Sequence, residues 1–214
     1  MINRRRLLAG AMLLPFTRIG TAEARVGCQP TPMGVRCRAE VNFPSVAAKY
    51  DPQFQSQWCW AACISMLFKF YGHPVSQERI VREAYGAPVN LPAGAGFVIA
   101  QQLNRRWTDD RGKEFSSTLR AAFDADARVA AITDAQIIQA LQSENPLIAG
   151  VRSHAVLLTL VDFMQTPMGP SVIGAGAFDP WPSVGPRRFA MDELVPVFRG
   201  GSLRFLAQAK VESL

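Results

Sequence analysis

Cys59 is the residue in this chain best placed to act as a nucleophile. It opens an apolar run, Cys59-Trp60-Ala61-Ala62-Cys63-Ile64-Ser65-Met66-Leu67, and Gln53 lies six residues before it. Trp60, Ile64, Leu67 and Tyr71 recur at spacings of three and four, a helical pattern with one buried side that leaves Cys59 at the exposed tip. Amides in the first turn of a helix lack intrahelical partners and carry the positive end of the macrodipole. A sulfur held there ionises more readily than a free thiol. A thiolate needs a proton-transfer partner, and the chain has two histidines, His73 and His154. His73 stands at the far end of the same helix, on the order of 20 Å from the sulfur along the axis. His154 starts an apolar run, His154-Ala-Val-Leu-Leu-Thr-Leu-Val, and is the candidate base. The bland alternative is a half-buried structural histidine.

Gln53 with Cys59-Trp60-Ala61 resembles the active-site segment of the papain-like cysteine peptidases, in which glutamine and cysteine keep this spacing and tryptophan follows the cysteine. The resemblance is greatest to the compact bacterial branch, which includes effector peptidases and relatives of bacteriocin-leader peptidases. It runs from about Gln53 to the end of the chain with the order of the residues preserved. It implies an α+β fold with a helical lobe facing an antiparallel sheet lobe, and hydrolysis of peptide bonds in proteins or peptides without a metal or organic cofactor. It also implies the roles. Cys59 attacks, His154 heads the histidine strand, and Gln53 donates its amide to the oxyanion. Asp179, in Phe178-Asp179-Pro180-Trp181, matches the residue that orients the histidine, with Asp where papain itself has Asn. A carboxylate there fixes the imidazole tautomer and stabilises the imidazolium, while the indole of Trp181 excludes water. An Asp-Pro turn with a packed tryptophan is the plain reading of the same residues. The rival carboxylate, Asp162, lies roughly 26 Å from His154 if the intervening strand is extended. The same acyl-enzyme chemistry is open to an acyl or peptidyl transferase, and the same fold to a binding protein without catalysis.

These residues need elements to hold them. A helix is predicted over 58–71, ended by Gly72-His73-Pro74, and a second from the capping residue Ser76 to Gly86. A Pro- and Gly-rich link over 87–96 leads to a third helix over 97–104, and the polar run 105–114 reads as a surface loop. Thr133-Asp-Ala-Gln136 is a capping box for a helix through Leu141. Strands are expected over 147–151, 154–163, 171–178 and 202–211, with a short helix over 191–195. Helices first and strands later point to an α+β architecture, helical over about 51–128 and sheet over about 129–214, with the site in a cleft between lobes.

The first 24 residues read as an export signal. Three arginines precede a short apolar run, and Ala22-Glu23-Ala24 offers a cleavage site. Arg4-Arg5 also fits a twin-arginine pattern, leaving that route and the general secretory one both open. Without Arg4, Arg5, Arg6, Arg18 and Glu23 the net charge drops from +6 to +3, and the remaining basic residues are interspersed with acids. That pattern gives no nucleic-acid-binding stripe. At 49% hydrophobic and 19% charged, 214 residues suit a soluble enzyme domain without stable membrane insertion, periplasmic or secreted. Residues 25–50 read as an extended segment in which Cys28 and Cys37 pair across a turn, since export favours disulfides. Cys59 and Cys63, four apart on one helix, do not suit a disulfide, and Cys63 reads as a buried filler. A metal site built from Cys59, Cys63 and His73 lacks the paired short spacings of structural zinc.

Overall fold

The structure is a computed structural model that describes residues 25–214; the export-signal expectation for residues 1–24 lies outside them. Ten strands pair antiparallel throughout: β1 (Arg25–Thr31), β2 (Gly34–Glu40), β3 (Arg105–Thr108), β4 (Glu114–Asp124), β5 (Val129–Ala130), β6 (Leu147–Val151), β7 (His154–Thr166), β8 (Gly169–Asp179), β9 (Gly185–Arg188) and β10 (Leu203–Ser213). Their order is β1-β2-β7-β6-β10-β4-β3, with β8 and β9 continuing from β7 and β5 set against β4. Five helices accompany them: α1 (Phe43–Ala47), α2 (Cys59–Phe70), α3 (Gln77–Tyr85), α4 (Gly96–Gln102) and α5 (Asp134–Gln142). The α+β class and the large antiparallel sheet agree with the sequence.

β7 is the backbone of the arrangement. Residues 155–159 and 161–163 of β7 are all buried, and since successive strand residues point to opposite faces, both faces of the sheet are covered there. α2 packs on β7, while α5 packs against β2, β6, β7 and β8. α2 itself is buried at every position from Trp60 to Phe68, so it is enclosed on all sides rather than along the single face its apolar spacing suggested. The expected caps are present: Ser76 Oγ accepts from Arg79 N–H, Gly86 closes α3 with φ 77°, and Thr133 and Gln136 form the capping box of α5.

Two stretches differ from the sequence expectation. The run 105–114 is not a surface loop: β3 and the long β4 form a hairpin across it, with Trp107 buried and Trp107 opposite Phe115. β4 then pairs along its length with β10, so the stretch expected to be helical supplies strands to the same sheet as the C-terminal half. The segment 25–50 is a β-hairpin whose second strand enters the sheet beside β7 through Arg36↔Met164 to Glu40↔Leu160. Cys28 and Cys37 are register partners in that hairpin and are joined by a disulfide. Among the described residues no helix is long and apolar enough to cross a membrane.

Candidate active site

Cys59 is the first residue of α2. Its N–H has no partner among the described residues, as the end of the hydrogen-bond ladder requires. Two indoles brace the helix start: Trp58 Nε1 donates to Val89 O at 2.9 Å and Trp60 Nε1 to Leu91 O at 3.2 Å, which pins the 87–96 link beside Cys59. His154 is the first residue of β7 and faces Val151 across a two-residue turn. The central residues of that turn, Arg152 and Ser153, have φ 49° and 60°, the positive values a primed hairpin turn demands. Asp179 is the last residue of β8, and the register Leu157↔Phe178 brings the end of β8 beside the start of β7. Strand ends thus bring together residues 25 positions apart.

His154 Nε2 and Asp179 Oδ1 are 2.6 Å apart, which leaves the other ring nitrogen for the Cys59 side. Burial by itself would depress the His154 pKa. The hydrogen bond to Asp179 and the interaction with the Cys59 thiol outweigh it and lift the imidazole from 6.5 to about 9. Asp179 is 5% exposed. Burial would raise its pKa, but the bond from His154, the Trp181 N–H at 2.9 Å and the Arg187 Nε–H at 2.7 Å prevail and hold the carboxyl below its usual range. Trp181 presents its ring edge-on to the imidazole, with centroids 6.2 Å apart.

Arg187 was not legible as part of the site. It lies two positions beyond Gly185, the register partner of Asp179, and so is the diagonal neighbour across β8 and β9. Its other nitrogens donate to Glu193 at 2.8 and 3.0 Å, and Glu193 is itself buried. The carboxylate that meets His154 is therefore one link in an Asp179–Arg187–Glu193 chain. Only its proximity to Asp179 in sequence hinted at this.

Cys59 and His154 open onto one cleft of about 410 Å³, walled by the 92–96 link, Gln57, Ser153 and Phe205. Gln53 is not among its lining residues. The Gln53 amide nitrogen donates to Gln55 O and Ser56 O, each at 3.0 Å, so both of its hydrogens brace the loop before α2. Its backbone N–H donates to Pro180 O at 2.8 Å, tying that loop to the Asp179 turn. The remaining candidates fall elsewhere. His73 stacks on Phe115 and contacts Ser213 Oγ at 3.0 Å, with Asp109 on its other side. Asp162 is enclosed by Arg36, Arg38 and Arg188. Cys63 is fully buried, and burial pushes its thiol well above the ordinary range.

No protein-family model and no curated protein matches the chain. Among solved structures it is similar to the peptidase domain of Streptococcus ComA, described as a bifunctional ABC transporter involved in a quorum-sensing pathway. The identity is 17%, with 77% of this chain and 97% of that one covered and a TM-score of 0.44.

Proposed function

We propose that this chain is an exported cysteine peptidase in which Cys59, His154 and Asp179 act as nucleophile, proton carrier and orienting carboxylate. The observation that carries the reading is the His154 imidazole, bonded to a buried carboxylate on one side and interacting with a thiol at a helix start on the other. An imidazole raised to about 9 is protonated at neutral pH and stabilises the thiolate beside it. The thiolate attacks the carbonyl carbon of a peptide bond, and the electron pair of the C=O goes to oxygen. When the tetrahedral intermediate collapses, the C–N bond breaks and the leaving nitrogen takes the proton of His154. Water, deprotonated by the now neutral His154, attacks the thioester and releases the acid and the thiolate. The unpartnered Cys59 N–H is one oxyanion donor. Gln53 is the second in this reading, exchanging one of its two loop carbonyls for the oxyanion. The disulfide of the β1–β2 hairpin supports an oxidising destination.

The test is turnover of a mixed peptide library under reductant, followed by mass spectrometry. Cys59→Ala and His154→Ala are expected to lose turnover with the folded CD spectrum retained, and His73→Ala to keep it. Full activity in Cys59→Ala would remove the peptidase reading.

A further inference from the structure

The cleft beside Cys59 contains a carboxylate that the reaction above does not use. Asp124 ends β4 and is 7% exposed. One of its oxygens, Oδ1, accepts the N–H groups of Asp126 and Ala127, both at 2.9 Å, and this closes the turn after the strand. The other, Oδ2, makes no hydrogen bond among the described residues and is not fully enclosed, so it is left open to the cleft that Asp124 lines together with Cys59 and His154. Gly96, on the facing wall, permits this approach: a Cβ there would collide with Oδ2 and with the Phe205 ring. A carboxylate that is 7% exposed overall, with one oxygen held by the turn and the other turned to the cleft without a protein partner, is poised to pair with a donor that enters there.

We infer that Asp124 is the floor of a specificity subsite that takes a cationic side chain, arginine or lysine, of the peptide substrate. The surrounding charges agree. The other carboxylate of the cleft, Asp126, is already paired with Arg204 at 2.7 Å, and both are about half exposed at the lip. That pair cancels, as does the thiolate–imidazolium pair, so the cleft carries one uncompensated negative charge at its base. Small residues around it, Gly94, Ala95, Gly150 and Ala155, leave room for a long side chain. The volume of about 410 Å³ exceeds what one arginine fills. A planar guanidinium can present two N–H groups to Oδ2 and to nearby carbonyls, whereas a neutral isostere leaves Oδ2 unsatisfied.

This inference rests on the peptidase reading for its substrate, but its test does not use turnover. Alanine-based hexapeptides carrying arginine, citrulline or norleucine at each position in turn are titrated by NMR into the full chain bearing Cys59→Ala. At one position arginine is expected to bind at least about tenfold more tightly than citrulline, the scale of a lost partner to a buried charge, with shifts at Gly96 and Asp124. Asp124→Asn keeps the Oδ1 acceptor for the turn and is expected to bring the arginine-to-citrulline ratio close to one. Equal binding of the two at every position, or an undiminished ratio in Asp124→Asn, would overturn the subsite. The citrulline comparison stands even if that variant fails to fold. Turnover retained by Cys59→Ala would instead sink the peptidase reading and leave the binding result in place.

Discussion

At the level of single residues, the site depends on how late His154 gives up its proton. Its pKa near 9 predicts that kcat/KM falls as pH rises, with a midpoint near pH 9, because the thiolate loses its imidazolium. Asp179→Asn removes the charge that holds the proton, and the midpoint is expected to move down toward 6.5, which a pH–rate profile reads directly. The sign for stability follows from the same shift. A group whose folded pKa lies above its unfolded one stabilises the fold below about 6.5, and this contribution is lost as pH rises through about 9. Asp179 works in the opposite direction, its contribution being lost in acid as its lowered pKa is approached. Gln53→Ala separates two tasks of one amide. As an oxyanion donor its loss costs about a hundredfold or more in kcat with KM little changed. A lower melting temperature with kcat retained would assign it to the 53–56 loop alone. Arg187 has a structural stake as well: Arg187→Ala leaves the buried Glu193 with only Arg152, 3.9 Å away, as a cation among the described residues, and breaking such a buried pair costs about 3 kcal/mol. Urea denaturation measures that loss.

The elements that carry these residues differ in how openly the sequence announced them. The start of α2 was visible because Cys59 sits where a dense apolar run begins. The caps of α3 and α5 were visible because Ser76, Gly86, Thr133 and Gln136 act locally through their own side chains. β6 and β7 were legible as two strands broken at Arg152-Ser153, although neither residue signals a primed turn; Asn-Gly would have. β4 stayed hidden for a physical reason. Its residues Ser116, Ser117, Thr118, Arg120, Ala121 and Ala122 bring little apolar contrast between faces, and its strand character comes from pairing with β10, more than eighty residues away. Asp124, at the end of that strand, was hidden with it. Arg187 escaped notice because its meaning depends on the β8–β9 register, which no local pattern encodes. The turn before His154 also makes a prediction. Ser153 at φ 60° adopts a backbone conformation that glycine enters freely, so Ser153→Gly should stabilise the chain by about 1 kcal/mol, seen as a higher melting temperature. A fall in melting temperature would show that the Ser153 side chain contributes more than its backbone strain costs.

Across the whole molecule, the N-terminal hairpin and β7, which carries His154, share one sheet, and this links folding to the redox conditions that the partly buried Cys59 thiol needs in the proposed role. β2 covers the edge of β7 over Leu160 to Met164, and its Cys37 and Ala39 are among the most buried residues of the core. Losing β2 would uncover that edge only a few residues beyond His154. Such an edge pairs readily with other chains. The hairpin is itself closed by the Cys28–Cys37 bond, which spans a sequence separation of 9. On the chain-entropy estimate a loop of that size contributes about 2–3 kcal/mol. A reductant protects Cys59 from oxidation but also attacks this bond, so the two requirements oppose each other. Activity is therefore expected to pass through a maximum as reductant is raised, first rising as Cys59 is restored and then falling as the hairpin opens. The doubly substituted chain, Cys28→Ser with Cys37→Ser, should be less stable than the oxidised parent by about 2–3 kcal/mol, a gap that closes once reductant has opened the parent's bond. It should also lose the descending limb, because it has no bond left to reduce. Persistence of that limb in the double variant would place the reductant's harmful action elsewhere, and an unchanged denaturation midpoint would show that β2 is held by its pairing with β7 alone.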